Sequence, residues 1–226
     1  MEGGGDLENL PKIFIGGSYG GYLALLIAKI APWYVDVVLD NSGSAIPLVD
    51  FLLGRETKTP DTYLHYPHYT FCLFTKTLWN RNLNSPYYFR DENFIIRSIL
   101  NPTHLILQKE KNPDTLFISY HSIEDVLSPF KDKEKLYDVL KELDFDAKLN
   151  LIRDESQVDN KTIKSLNHGL RMSDKAFLNK EWSYIKEKIK NKNFQIRQDS
   201  ISYSCKNAVF TFKDEGSQFK LKITYN

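Results

Sequence analysis

Cysteine is scarce in this sequence: 226 residues hold two, Cys72 and Cys205, far apart and in unlike surroundings. That excludes a disulfide framework and leaves no cysteine spacing suited to a metal. The expectation is a reduced, cytoplasmic protein. Net charge is equally scarce, since 30 Lys and Arg meet 29 Asp and Glu for a formal +1. No broad electrostatic ground therefore exists for nucleic acid or an acidic membrane as partner. The lysines at 186–192 alternate with apolar residues at helical spacing, which suits a solvated helix face. Long apolar runs are missing too. None approaches the ~18 residues of a membrane span. Met1 to Pro11 has no basic start leading into an apolar stretch, so no secretory signal is expected.

What is present is enough apolar residue, 42% of the chain, to build a core. Lys12-Ile13-Phe14-Ile15 is a short apolar run that ends in glycines, as a buried parallel strand does. Leu23 to Ala31 reads as a buried helix stopped by Pro32. Val35 to Leu39 is a second strand, closed by the turn Asp40-Asn41-Ser42-Gly43. Thr115 to Tyr120 is a third. Helical periodicity then covers Lys131 to Leu143, and Ala147 to Ile152 alternates as a fourth strand. Ser173 to Lys190 forms an amphipathic helix marked by Phe177, Trp182, Ile185 and Ile189. Strands alternating with helices predict an α/β class with a parallel sheet covered on both faces.

Two stretches break the alternation. Residues 47–113 are aromatic-rich and read as a cap insertion, with helices expected at 91–100 and 103–110. Residues 195–226 are β-patterned: Phe219, Leu221, Ile223 and Tyr225 alternate with Lys220, Lys222 and Thr224, after a hairpin turn at Asp214-Glu215-Gly216-Ser217. The division is then 1–194 for the α/β part, with its cap, and 195–226 for a small β tail.

The chemistry concentrates at Gly16-Gly17-Ser18-Tyr19-Gly20-Gly21, where a strand passes into a helix. A serine on so sharp a turn projects its hydroxyl, and Gly16 and Gly20 avoid collisions with the neighbouring strand and helix. The helix N-terminus points at the site and favours developing negative charge. The backbone N–H of Tyr19 is the natural oxyanion donor.

With Tyr22 added, this motif resembles the nucleophile elbow of the prolyl-oligopeptidase-like branch of the α/β-hydrolases. It also resembles a bacterial domain-of-unknown-function family encoded near flagellar glycosylation genes. The first likeness spans about 10–190, and only the second reaches the β tail. The resemblance implies the C-terminal half of an α/β-hydrolase fold and a serine-hydrolase reaction, with Ser18 as nucleophile. His168, in the loop Leu166-Asn167-His168-Gly169, falls where the family keeps its base. His121-Ser122-Ile123-Glu124-Asp125-Val126-Leu127-Ser128-Pro129 resembles the H-G-x-x-D-x-x-V-P loop and puts Asp125 on the acid. Ser122 and Ser128 depart from that motif. Glu124 stands next door, and Asp40 sits after the second strand, where some hydrolases keep their acid; both remain alternatives.

The long gap between Ser18 and Asp125 leaves room for the cap. Its aromatics suit either its own small core or an apolar or sugar-stacking pocket. His65 and His68 lack acidic or cysteine partners, so neither metal nor cofactor is expected. The elbow strand comes a dozen residues into the chain, whereas this fold normally places four strands before it. It should therefore form an apolar edge, completed by a partner chain or left incomplete, and the second oxyanion donor should be missing. Ester, acyl-sugar or peptide substrates fit the chemistry, with an esterase or deacylase preferred to a peptidase. The competing expectation is a truncated, non-catalytic protein with an interaction role.

Overall fold

The apolar runs condense into a four-stranded, all-parallel sheet. A computed structural model describes residues 10–45, 96–125, 128, 130–154, 168, 174–192, 198–216 and 218–226. Strands β1 (Ile13–Gly17), β2 (Val37–Asn41), β3 (Leu116–Ser122) and β4 (Asp146–Ile152) lie side by side in that order. Their starts are level: Ile13 pairs with Val37, Val37 with Leu116, and Leu116 with Asp146. Parallel neighbours require crossovers, and helices α1 (Tyr19–Ile30), α2 (Pro102–Lys111) and α3 (Phe130–Glu142) supply them; α4 (Asp174–Ile189) follows β4.

Local chemistry sets the helix ends. α1 begins directly after Ser18, earlier than the expected Leu23, and stops before Pro32, which opens a 3-10 turn over Pro32–Tyr34. The Asn101 side chain caps α2, accepting from the N–H groups of Thr103 at 3.0 Å and His104 at 3.4 Å, with Pro102 in the first position. The helix expected at 103–110 is thus present. The one expected at 91–100, the cap residues 46–95, Cys72, His65 and His68 lie wholly or largely outside the described residues.

Strand alternation gives the sheet two apolar faces. Val38 and Phe117 pack under α1, α2 and α3 with Tyr22, Leu25, Leu105 and Leu136. Val37, Leu39, Leu116 and Ile118 meet Ile185 and Ile189 of α4 on the other side. β2 and β3 are buried throughout, as central strands of a helix-covered sheet must be. β1 is different. Among the described residues β2 is its sole strand neighbour, and Ile13, Phe14 and Ile15 are half-buried. The predicted α/β class, a parallel sheet with flanking helices followed by a β-rich tail, is what the structure shows. Among the described residues no helix is long and apolar enough to cross a membrane.

The tail is an antiparallel sheet of β5 (Ser200–Ser204), β6 (Ala208–Asp214) and β7 (Phe219–Tyr225). Gly216, at φ 82°, turns the chain between β6 and β7, where the Glu215 N–H donates to Gln218 O at 2.9 Å. Ile201, Tyr203, Phe210 and Phe212 pack on Ala31, Trp33 and Ile96 of the α/β part. Polar bonds fix the seam. Tyr203 Oη donates to Lys29 O at 2.5 Å, Tyr34 Oη donates to Asp214 at 2.5 Å, and Lys111 meets Asp199 at 2.7 Å. β7 overhangs this seam, so its alternating apolar residues stay exposed despite their strand pattern.

Two outcomes follow from the seam. Phe210→Ala should lower stability by about 3–5 kcal/mol, and Leu221→Ser on β7 should change it by less than about 0.5 kcal/mol, both read by thermal or urea denaturation. Lys29 is buried with Nζ donating to Ser98 O at 2.5 Å, and desolvation lowers its pKa to about 7. The unfolded chain then holds a proton that the folded chain lacks between about pH 7 and 10.5. The penalty is largest below that window and fades as pH rises through it. Urea titrations should therefore show wild type gaining stability on Lys29→Met as pH rises from about 7 to 9.

Candidate active site

Ser18 lies between β1 and α1 with φ 55° and ψ −120°, a conformation that costs a non-glycine residue about 1–3 kcal/mol. Neighbouring backbone holds it there. Its N–H donates to Asn41 O at 2.8 Å, and its carbonyl accepts from Tyr22 N at 3.1 Å. A Cβ on Gly16 would stand 2.3 Å from Gly20 backbone atoms, so that glycine is obligatory. Gly20 is not: a Cβ there meets nothing within 4 Å among the described residues, because no described element packs on that side of α1. The collision expected at Gly20 falls instead on Gly21, whose Cβ would lie 2.1 Å from Asp40 Oδ1.

Three of the sequence candidates meet. Ser18 Oγ is 2.5 Å from His168 Nε2, and His168 Nδ1 is 2.9 Å and 3.0 Å from the two Asp125 oxygens. The distances suit one tautomer, with the proton on Nδ1 facing the carboxylate and Nε2 accepting from the hydroxyl. Asp125 is buried in the turn after β3. Its N–H donates to Ser122 O at 3.2 Å, and its Oδ1 accepts from Ser128 N at 2.9 Å. Both bonds use backbone atoms of Ser122 and Ser128, so neither depends on the serine side chains that depart from the motif. Ser122 Oγ also accepts from Glu124 N at 3.1 Å, so the hydroxyl closes a turn where glycine is usual. Glu124 itself is exposed. Tyr19 occupies the first helical position, where a backbone N–H has no intrahelical acceptor.

Asp40, the other candidate acid, faces elsewhere. Its Oδ2 accepts from Lys133 Nζ and from Ser119 Oγ, each at 2.6 Å, and its Oδ1 accepts from Gly43 N at 2.7 Å. Both ends of the Lys133–Asp40 pair are essentially inaccessible to solvent. A charge so placed needs its partner, and removing one typically costs 3–5 kcal/mol. Lys133 is missing from the sequence reading, although spacing marks it: Lys133, Leu136, Tyr137 and Leu140 form one buried stripe of α3. His121 does appear in that reading, as the first residue of the loop motif, but no role is given to it. Its buried ring lies below Asp125, with Nε2 2.5 Å from Ser128 O. Burial, then Lys133, pushes its pKa down against the pull of Asp125, so the ring is neutral.

A family model described as a protein of unknown function, DUF2920, matches residues 3–223. The chain belongs to that family. No curated protein sequence matches this DUF2920 chain. Among solved structures it is similar to a Mycobacterium tuberculosis puromycin-hydrolyzing peptidase, at 14% identity and TM-score 0.47, over 82% of this chain and 22% of that one. It is similar also to a Pyrococcus horikoshii acylaminoacyl peptidase, at 16% identity and TM-score 0.48, over 86% and 26%. The DUF2920 chain thus spans about a quarter of the length of these solved chains. Among its described residues no group of three or more His, Cys, Asp or Glu could hold a metal ion.

The glycine contacts separate two neighbouring positions. Gly20→Ala should leave the fold intact and stabilise α1 by up to about 1 kcal/mol. Gly21→Ala should cost about 1–3 kcal/mol or more by driving the elbow off Asp40. Denaturation midpoints of the two variants, measured side by side, check this.

Proposed function

We propose that this protein is a serine hydrolase of the α/β-hydrolase type, an esterase or deacylase that works through an acyl-enzyme. The continuous chain Ser18–His168–Asp125 carries the reading. Ser18 Oγ attacks the ester carbonyl carbon, and its proton passes to His168 Nε2. Asp125 stabilises the imidazolium, and the Tyr19 N–H receives the oxyanion. Collapse expels the alkoxide, which takes the proton from His168. Water then attacks the acyl-enzyme with His168 again as base, which regenerates Ser18. The substrate is a small-molecule ester or acyl-sugar. A peptide amide would follow the same steps and is the second choice, resting on the resemblance of the elbow to peptidases.

One observation favours a competing, non-catalytic role. β1 offers a half-buried apolar edge without a second strand among the described residues. In our reading another stretch of chain, from a longer polypeptide or a partner, pairs with that edge and brings a second oxyanion donor. Loss of one such donor costs ~10²–10³ in rate, so without it Ser18 reacts slowly. A cytoplasmic location fits the scarcity of cysteine.

Prolonged incubation with a fluorophosphonate probe tests the choice. Expected is slow labelling of Ser18 that disappears in Ser18→Ala and His168→Ala and falls at least ~10²-fold in Asp125→Asn. A folded wild-type protein that stays unlabelled sinks the hydrolase reading and leaves the interaction role.

A further inference from the structure

Beneath the acid lies a second histidine that the proposed reaction does not use directly. His121 is the last residue but one of β3, without solvent exposure and four residues before Asp125. Its Nε2 is 2.5 Å from Ser128 O and 3.4 Å from Asp125 Oδ2. Two bare acceptors would repel at the first distance, so Nε2 carries the proton and donates to the carbonyl. The ring's Nδ1 has no hydrogen-bond partner among the described residues. One donor therefore faces both a loop carbonyl and the far oxygen of the carboxylate.

We propose that His121 is a positioning residue for Asp125: its Nε2–H pins the loop at Ser128 and fixes the carboxylate so that both oxygens reach His168 Nδ1. The inference rests on the triad reading above and extends it by one member. The geometry explains why one bond would matter. The Ser128 N–H holds Asp125 Oδ1 at 2.9 Å, and His121 holds the same residue's carbonyl, so Ser128 is gripped on both sides. Without the imidazole donor, the turn hangs from β3 and from its own Asp125–Ser128 bond. The grip on Ser128 then loosens, and with it the Oδ1 bond that helps hold the carboxylate toward its two contacts with His168. A neutral ring suits the task, because an imidazolium at that place would compete with His168 for the charge of Asp125.

The test uses the full chain and three variants. His121→Phe keeps the ring's shape without a donor. His121→Gln sets an amide N–H near the Nε2 position, and His121→Asn sets one near Nδ1 instead. Two readouts are taken: the rate of Ser18 labelling by a fluorophosphonate, and the far-downfield proton resonance of the His168 Nδ1–H bound to carboxylate. Folded His121→Phe and His121→Asn should label about 10–100-fold more slowly and lose the resonance. His121→Gln should keep the resonance and label within about threefold of wild type. Should His121→Phe fail to fold, the contrast between Gln and Asn decides. An unchanged rate and resonance in His121→Asn or His121→Phe overturns the proposal, as does a folded His121→Gln no better than His121→Asn. If wild type is never labelled but the resonance follows this order, His121 positions Asp125 and it is the hydrolase reading that fails.

Discussion

The Asp40 carboxylate is the point on which the geometry of the site depends. It accepts from Lys133 of α3, from Ser119 of β3 and from the backbone of Gly43, while Gly21 of α1 passes close enough to exclude a Cβ. Two strands, two helices and a turn thus converge on one buried group. Such an arrangement is costly to assemble, because both charges leave water, and costly to disturb, because either charge alone would be stranded. The contribution of the pair is therefore better described as definition of geometry than as net stability. The turn it holds includes Asn41, whose carbonyl accepts the Ser18 N–H. Strain at Ser18 persists because its surroundings over-determine it.

The same pairing separates two acids that look equivalent in the sequence. Asp40 and Asp125 both follow apolar strands. A carboxylate whose oxygens already accept from an ammonium, a hydroxyl and an amide has little capacity left to orient an imidazole. Asp125 is buried as well, but its carboxylate meets one backbone N–H, that of Ser128, and two histidines. Its charge is available to His168. The proposed chemistry and the structural support thus fall on two carboxylates near the ends of adjacent strands, with His121 beside Asp125 and its pKa lowered by burial first and then by Lys133.

Much of this is legible in the sequence, and the rest is missing for identifiable reasons. Short apolar runs ending in glycine or Asp-Asn-Ser-Gly announce the strands, because a parallel strand buried on both faces needs no alternation. Ser18, Asp125 and His168 stand out through motif and order. Lys133 escapes notice because lysine on a helix usually reads as solvent-facing; its place in the stripe with Leu136 and Tyr137 is the overlooked signal. His121 stands first in the loop motif, but the resemblance carries a role to Asp125 alone, and the burial of the ring is not legible there. Gly20 errs the other way: the general rule for elbow glycines assumes a neighbour that the described residues do not provide. The exposure of β7 is equally invisible, since alternation tells which residues share a face but not whether anything covers it.

The distribution of satisfied and unsatisfied surfaces carries its own argument. Ser18 is held by Asn41 of β2, Asp125 by the turn after β3, and Asp40 by Lys133 of α3, so the proposed nucleophile and acid are placed by bonds inside the described residues. The surfaces that would choose a substrate or a partner are of another kind. β1 carries the half-buried Ile13, Phe14 and Ile15 along an edge with no second strand among the described residues, and β7 presents Phe219, Leu221, Ile223 and Tyr225 to solvent. Chemistry that needs sub-ångström placement is anchored by buried charges, whereas recognition is left to surfaces whose energy comes from what covers them. Substitutions beneath the elbow should therefore alter rates more than selectivity, and changes along β1 or in the cap should do the reverse.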